Sequence, residues 1–170
     1  VEPNYNLTEE QHKALNSIIS AFDEGGYRNI LLFGVTGSGK TEVYIRAIQY
    51  AIEKGKSVIF MVPEISLTPQ MIENVQSRIG NKVLVYHSKM KSTDRLNSWL
   101  AARNKEAVVV IGPRSAVFAP VNNLGLIIVD EEHEPSYKSE KSPRINAVEV
   151  AQMRAKINNI PIILGSATPS

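Results

Sequence analysis

Six apolar runs recur along the chain, near residues 30–33, 57–62, 83–86, 107–112, 125–129 and 160–164. Each is apolar at successive positions rather than at every second one, the pattern of strands buried on both faces. Helical spacing alternates with them. Across 9–23 the apolar positions Ala14, Leu15, Ile18, Ile19 and Phe22 fall on one helix face, opened by Thr8 with Gln11 three residues later, a capping-box spacing. A second helical run spans Glu42 to Ala51. Thr68-Pro69 predicts another start: the threonine caps, the proline sits where a missing N–H costs nothing, and Met71, Ile72, Val75 and Ile79 form the buried face. Ser92 plays the same capping part before Leu96, Trp99 and Leu100, whose spacing makes Trp99 a core residue. The alternation predicts an α/β fold, a mostly parallel sheet with helices on both faces. Ligands of such folds gather at the carboxyl ends of the strands.

Composition narrows the picture. A chain of 170 residues, 43% of them hydrophobic, reads as one domain with a real core, and no internal repeat or Pro/Gly/Ser linker divides it. Its apolar runs fall far short of the ~20 residues a bilayer-crossing helix needs. With no cysteine, thiolate zinc sites are excluded, and without a basic-then-apolar opening segment a cytoplasmic setting is expected. A net charge of +2 is too small to argue for nucleic acid by itself, so any such site must be local. The start at Val1 and the stop just after Ser166-Ala167-Thr168-Pro169 suggest a piece of a larger protein.

The first candidate chemistry follows the first apolar run. Gly34-Val35-Thr36-Gly37-Ser38-Gly39-Lys40-Thr41 satisfies the phosphate-loop pattern Gly-x4-Gly-Lys-Ser/Thr between a strand and a helix. Amides at such a helix start converge on one spot at the positive end of the helix dipole, which suits a triphosphate. Gly37 and Gly39 let the backbone approach phosphate oxygens, with Ser38 between them; Lys40 offers a point charge to the β and γ phosphates, and the Thr41 hydroxyl can reach magnesium.

A second cluster ends the fifth run, Leu126-Ile127-Ile128-Val129-Asp130-Glu131-Glu132-His133. Alone it also fits a solvated acidic loop; after a phosphate loop it reads as a magnesium site. Asp130 holds the ion, chiefly through its water shell, since magnesium prefers oxygen ligands and keeps several waters. Glu131 orients and deprotonates the attacking water, because hydrolysis of this kind is positioning plus charge stabilisation. A kinase or simple adenylate binder explains Glu131 less well. His133 is open between capping, packing and coupling.

Phosphate loop, Asp-Glu-x-His and a Ser166-Ala167-Thr168 turn, in that order and spacing, resemble the first motor lobe of superfamily 2 helicases. Pro63 to Gln70, Tyr86-His87-Ser88, Gly112 to Pro120, Asp130 to Lys138 and Gly165 to Ser170 extend the resemblance, from Leu7 to Ser170, to the bacterial replication-restart DNA helicases. The resemblance implies a RecA-like P-loop NTPase lobe using ATP and Mg2+. It implies single-stranded and forked DNA, a second helicase lobe of the same chain, single-strand-binding protein and primosome proteins as partners, and no membrane. Zinc belongs to the family's cysteine-rich module, outside these residues.

Site roles carry over by position. Lys40, Thr41, Asp130 and Glu131 match the catalytic and metal positions. Gln11 matches a glutamine that reads the adenine edge, with the capping box as its competing role. Glu64, Ser66, Thr68, Arg114 and Ser115 match segments that hold the phosphate backbone of single-stranded DNA, contacts that position a strand without reading its bases. Capping is the alternative for Ser66 and Thr68, and a salt bridge for Arg114. Ser166, Thr168 and His133 would couple the nucleotide site to the DNA side, with turn formation the plainer role for the Ser-Ala-Thr segment. His87 and Arg95 match the family pattern too.

One departure stands out. Where the family carries a loop close to Pro-Arg-Tyr-His-Ala-Arg, this chain reads Pro143-Arg144-Ile145-Asn146-Ala147-Val148. The expectation is that the loop borders the DNA and couples through Tyr137 and Arg144. The arginines of a second lobe, which contribute on the order of 10³ to 10⁵ in rate, are not among these residues, so the lobe alone is expected to bind nucleotide weakly and hydrolyse it barely. Competing functions are a superfamily 2 translocase of another pathway, an ATPase acting on protein or small-molecule cargo, and a non-catalytic DNA or protein docking module.

Overall fold

The computed structural model describes residues 6–33, 38–86, 106–138 and 146–166. In chain order these form α1 (Glu9–Glu24), β1 (Arg28–Leu32), α2 (Ser38–Glu53), β2 (Ser57–Met61), α3 (Pro69–Ile79), β3 (Val83–Val85), β4 (Val109–Gly112), β5 (Leu124–Val129), α4 (Ala147–Asn158) and β6 (Pro161–Gly165). Short 3-10 turns follow β2, β4 and β5 at Glu64–Ser66, Arg114–Phe118 and Pro135–Tyr137. The expectations for Gly37, Arg144 and Thr168, and those for His87, Ser92, Arg95 and Trp99, lie outside the described residues.

The six strands form one sheet, entirely parallel, in the order β1-β6-β5-β2-β4-β3. All six fall on the apolar runs. Residues of β2 alternate between two cores: Val58 and Phe60, with Val62 just past the strand, pack with residues of α1, α2 and α3 on one face, while Ile59 and Met61 pack with α4 and Tyr137 on the other. That double burial is why β4, β5 and β6, and β2 after Ser57, carry no polar side chain. Edge strand β1 differs, with Leu32 buried on the α1 and α2 side but Leu31 half-exposed on the other.

Helix starts follow the capping chemistry. Thr8 caps α1 and forms the full capping box, its Oγ1 accepting from the Gln11 amide at 3.1 Å while Gln11 Oε1 accepts from the Thr8 amide at 2.7 Å. Thr68 caps α3 through the Met71 amide, with Pro69 in the first turn. Asn146 caps α4 through Val148 N. Helix α2 is fastened to α3 by Glu42, which accepts from Arg78 Nη1 and Nη2 at 2.8 and 2.9 Å and from Arg46 Nε at 2.9 Å. Burial opposes the Glu42 charge, but the two guanidiniums outweigh it and hold the carboxyl below its ordinary value.

The carboxyl edge of the sheet gathers the segments singled out in the sequence. The phosphate loop follows β1, Pro63–Thr68 follows β2, Pro113–Phe118 follows β4, the acidic cluster follows β5, and Ser166 ends β6. Backbone bonds tie three of these ends together: Ser166 N donates to Leu32 O at 3.1 Å and Glu132 N to Gly165 O at 2.9 Å.

Candidate nucleotide-binding site

Lys40 stands in the first turn of α2 with its side chain only 6% exposed, an expensive place for an ammonium without partners. Its Nζ donates to Glu131 Oε1 at 2.6 Å and lies 3.4 Å from Asp130 Oδ1. Burial works against the charge, yet the Glu131 hydrogen bond and the two carboxylates outweigh it and hold the lysine above its ordinary value. The phosphate-loop lysine and the acidic cluster, 91 residues apart in sequence, therefore meet at one point.

Asp130 is fixed from several directions. Its amide donates to Met61 O at 2.9 Å, extending the β5–β2 ladder one residue past the strand. Tyr44, one helical turn after Lys40 on α2, donates from its hydroxyl to Asp130 Oδ1 at 2.8 Å. Tyr137 donates to the Asp130 carbonyl at 2.5 Å. Burial, reinforced by the Asp130 charge, pushes both phenols far above their usual range, so they act as donors at any working pH. Glu131, next along, has φ +53°, the left-handed region that non-glycine residues rarely occupy. Backbone of this kind at a candidate acid is characteristic of functional sites.

Among the described residues no group of three or more His, Cys, Asp or Glu side chains could by itself hold a metal ion. Magnesium binds through one or two carboxylates plus substrate phosphates rather than in an all-protein cage. Asp130, a 17%-exposed carboxylate, and the half-buried Thr41 are the oxygen donors on hand.

The other expected site residues occupy varied positions. Gly39 and Thr41 lie in the first turn of α2 with Lys40, and the backbone of Ser38 opens that helix. Gln11 plays its capping part and also donates from Nε2 to Gly39 O at 3.0 Å, which joins α1 to the phosphate loop. Glu64 is exposed, Ser66 and Thr68 are half-buried, and Thr68 spends its hydroxyl on the α3 cap. Arg114 is exposed and donates to Lys138 O at 3.0 Å, bridging the segments after β4 and β5; Ser115 beside it is half-buried. His133 is 84% exposed, 3.7 Å from Glu132 Oε1, and Ser166 is buried.

Tyr137 departs from expectation. Placed at the DNA path by the sequence reading, it is 1% exposed, packed in the α4-side core and bonded to Asp130 and Met61 carbonyls. Its ring is too apolar and its hydroxyl too well used to face solvent. The altered loop has a related explanation: Asn146 is the α4 cap and Val148 is core, while an antiparallel bridge between Lys138 and Asn146 brings the ends of 139–145 together. Tyr44 was missed, because no local pattern links it to an acid 86 residues away.

Known proteins share the sequence and the fold of this chain. The replication restart protein PriA of Bacillus subtilis (strain 168) is 49% identical over 164 residues, covering 96% of this chain and 20% of that protein. The replication restart protein PriA of Chlamydia pneumoniae is 47% identical over 165 residues, covering 96% and 22%. The chain thus spans about a fifth of the length of these curated relatives. Among solved structures, RecG bound to a three-way DNA junction superposes with a TM-score of 0.71 at 28% identity, over 98% of this chain and 22% of that one. The all-parallel α/β sheet is accordingly of the RecA-like kind found in helicase motor lobes. The family described as "Type III restriction enzyme, res subunit" matches residues 4–170, and with the phosphate loop, the acid pair and the sheet all accounted for, the chain belongs to that ResIII family.

Proposed function

We propose that residues 1–170 are a single nucleotide-binding motor lobe of an ATP-dependent DNA helicase that restarts replication at stalled or collapsed forks. The observation that carries this reading is the convergence of Lys40, Asp130 and Glu131 at the carboxyl edge of the sheet, with Lys40 2.6 Å from Glu131. A structural ion pair alone would not need to stand at the start of a phosphate-loop helix.

Under this proposal each residue has a distinct role. Amides at the start of α2 and the Lys40 ammonium receive the phosphates, and Lys40 exchanges Glu131 for phosphate oxygen as they bind. That exchange frees Glu131, whose charge is released to orient water and accept its proton. Thr41 and Asp130 would hold magnesium, which when bound neutralises phosphate charge. Gln11 already touches Gly39, so adenine recognition by its amide would be felt directly at the phosphate loop. Arg114, with Glu64, Ser66, Thr68 and Ser115 on neighbouring segments, supplies the surface for a DNA backbone, and Arg144 and Thr168 belong to the same reading. Ser166 and His133 relay between the two sides, Ser166 through its bond to Leu32 beside the phosphate loop. Branched DNA as substrate draws support from the likeness to RecG on a three-way junction and to replication restart proteins. Single-strand-binding protein, primosome proteins and a zinc module belong to the parent protein under this proposal.

The test is ATP turnover by the full-length parent with and without single-stranded and forked DNA, beside the 170-residue chain. Strong stimulation of the parent by DNA and minimal turnover by the lobe alone are expected. A parent indifferent to DNA, or a lobe with helicase-like turnover, overturns the proposal.

A further inference from the structure

Tyr44 is wholly buried, and its ring packs edge-on against Phe60 with centroids 5.3 Å apart. A phenylalanine would satisfy that packing equally well. What tyrosine adds is one hydroxyl, and that hydroxyl donates to Asp130 Oδ1 at 2.8 Å. The fold makes room for it at one other position. Residue 165, the last of β6, is glycine, and a Cβ there would overlap the Tyr44 hydroxyl and lie 2.9 Å from Asp130 Oδ1. Three elements thus converge on one carboxylate oxygen: α2 brings the donor, β5 the acceptor and β6 the space.

We infer that Tyr44 is a positioning residue for Asp130, its hydroxyl holding Oδ1 so that the carboxylate keeps one orientation after Lys40 leaves for the phosphates. The inference rests on the nucleotide reading above and deepens it. Among the described residues, Oδ1 is met by Lys40 at 3.4 Å and Tyr44 at 2.8 Å. Lysine is the one with another task. Tyr44 stays, because its ring is locked in the core, and it leaves the second Asp130 oxygen for the metal and its waters. Partners that orient a metal-holding carboxylate in this way typically contribute ~10–100-fold to metal affinity or activity.

The experiment uses the full-length parent and titrates Mg2+ against binding of a fluorescent ADP analogue, with Tyr44→Phe, Gly165→Ala and, as control, Tyr50→Phe. Tyr50 lies on the same helix with its hydroxyl on Asp23, away from the site. Tyr44→Phe is expected to raise the Mg2+ midpoint by ~10–100-fold while Mg2+-free binding of the analogue stays at the wild-type level. ATP turnover by this variant should then recover at high Mg2+, a rescue that a merely structural defect would not show. Gly165→Ala should shift the midpoint in the same direction, providing the reading if Tyr44→Phe fails to fold, and Tyr50→Phe should leave it unchanged. A wild-type midpoint in a folded Tyr44→Phe, or in Gly165→Ala where Tyr44→Phe does not fold, overturns the inference alone. Absence of any Mg2+-dependent binding in the wild type overturns the nucleotide reading with it.

Discussion

Asp130 and Arg114 sit at the same edge of the same sheet, one residue past β5 and two past β4, and are held in opposite ways. Asp130 is 17% exposed, with its amide, carbonyl and Oδ1 each bonded, to three different elements. Arg114 is exposed and, among the described residues, reaches the backbone carbonyl of Lys138 at 3.0 Å. Ile65 on the segment after β2 and Phe118 on the segment after β4 are open as well, 81% and 64% exposed. The difference teaches where preorganisation is invested. Groups that must stabilise charge in a reaction are fixed before the ligand arrives, because reorganising them during the reaction would cost rate. Under the proposed role of Arg114, a contact to the nucleic-acid backbone positions a strand without reading its bases.

The comparison breaks first at Glu131. Glu131→Gln in the full-length parent should lower DNA-stimulated ATP turnover by ~10²–10⁴-fold, the usual scale for loss of a general base, while fluorescent ADP binding changes little. Turnover near wild type would remove Glu131 from the chemistry and reduce its pairing with Lys40 to a structural contact.

The nucleotide side should also depend on the brace behind it. Glu42 has a folded-state pKa depressed below its ordinary 4.5, so its stabilising contribution is fully present above that value and is lost as pH falls through the lower folded value. Urea unfolding of the 170-residue chain should therefore weaken on acidification across that window. Glu42→Gln should lower stability at neutral pH by about 1–3 kcal/mol, the cost of replacing a charged acceptor oxygen facing the largely buried Arg78 guanidinium with an amide NH2, and flatten this acid limb. An unchanged acid limb in the variant would move the sensitivity to another carboxylate.

The smallest effect belongs to the open side. Arg114→Ala should weaken binding of single-stranded DNA by the parent a few-fold and reduce its salt slope by about 1, the signature of one lost phosphate contact. Unchanged affinity and slope would leave Arg114 as a bridge to Lys138 only.

Much of this molecule was legible in its sequence. Strands buried on both faces read as unbroken apolar runs, and Thr8, Thr68 and Pro69 announce helix starts by local chemistry that tertiary packing did not override. Lys40, Asp130 and Glu131 were legible because strand-loop-helix motifs fix their place at the carboxyl edge. Helix α4 was not, since its buried positions are the small Ala147, Ala151 and Ala155 with Val148, while Met153 and Ile157 point outward and blur the period. The two tyrosines were hidden for another reason. Tyr44 reads as one more apolar position of α2, and Tyr137 as part of an exposed segment, until β5 brings Asp130 between them. Gln11 was read as a choice between two roles, yet its amide oxygen makes the cap while its nitrogen meets Gly39.

The central claim is that Lys40 exchanges its carboxylate for phosphate while Asp130 stays where Tyr44 holds it. A crystal structure of the full-length parent with Mg2+ and a non-hydrolysable ATP analogue tests it most directly. Lys40 Nζ is expected within hydrogen-bonding distance of phosphate oxygen and no longer on Glu131, with the Tyr44 to Asp130 hydrogen bond retained. A nucleotide bound elsewhere, Lys40 still paired with Glu131, or Asp130 swung away from Tyr44 would contradict it.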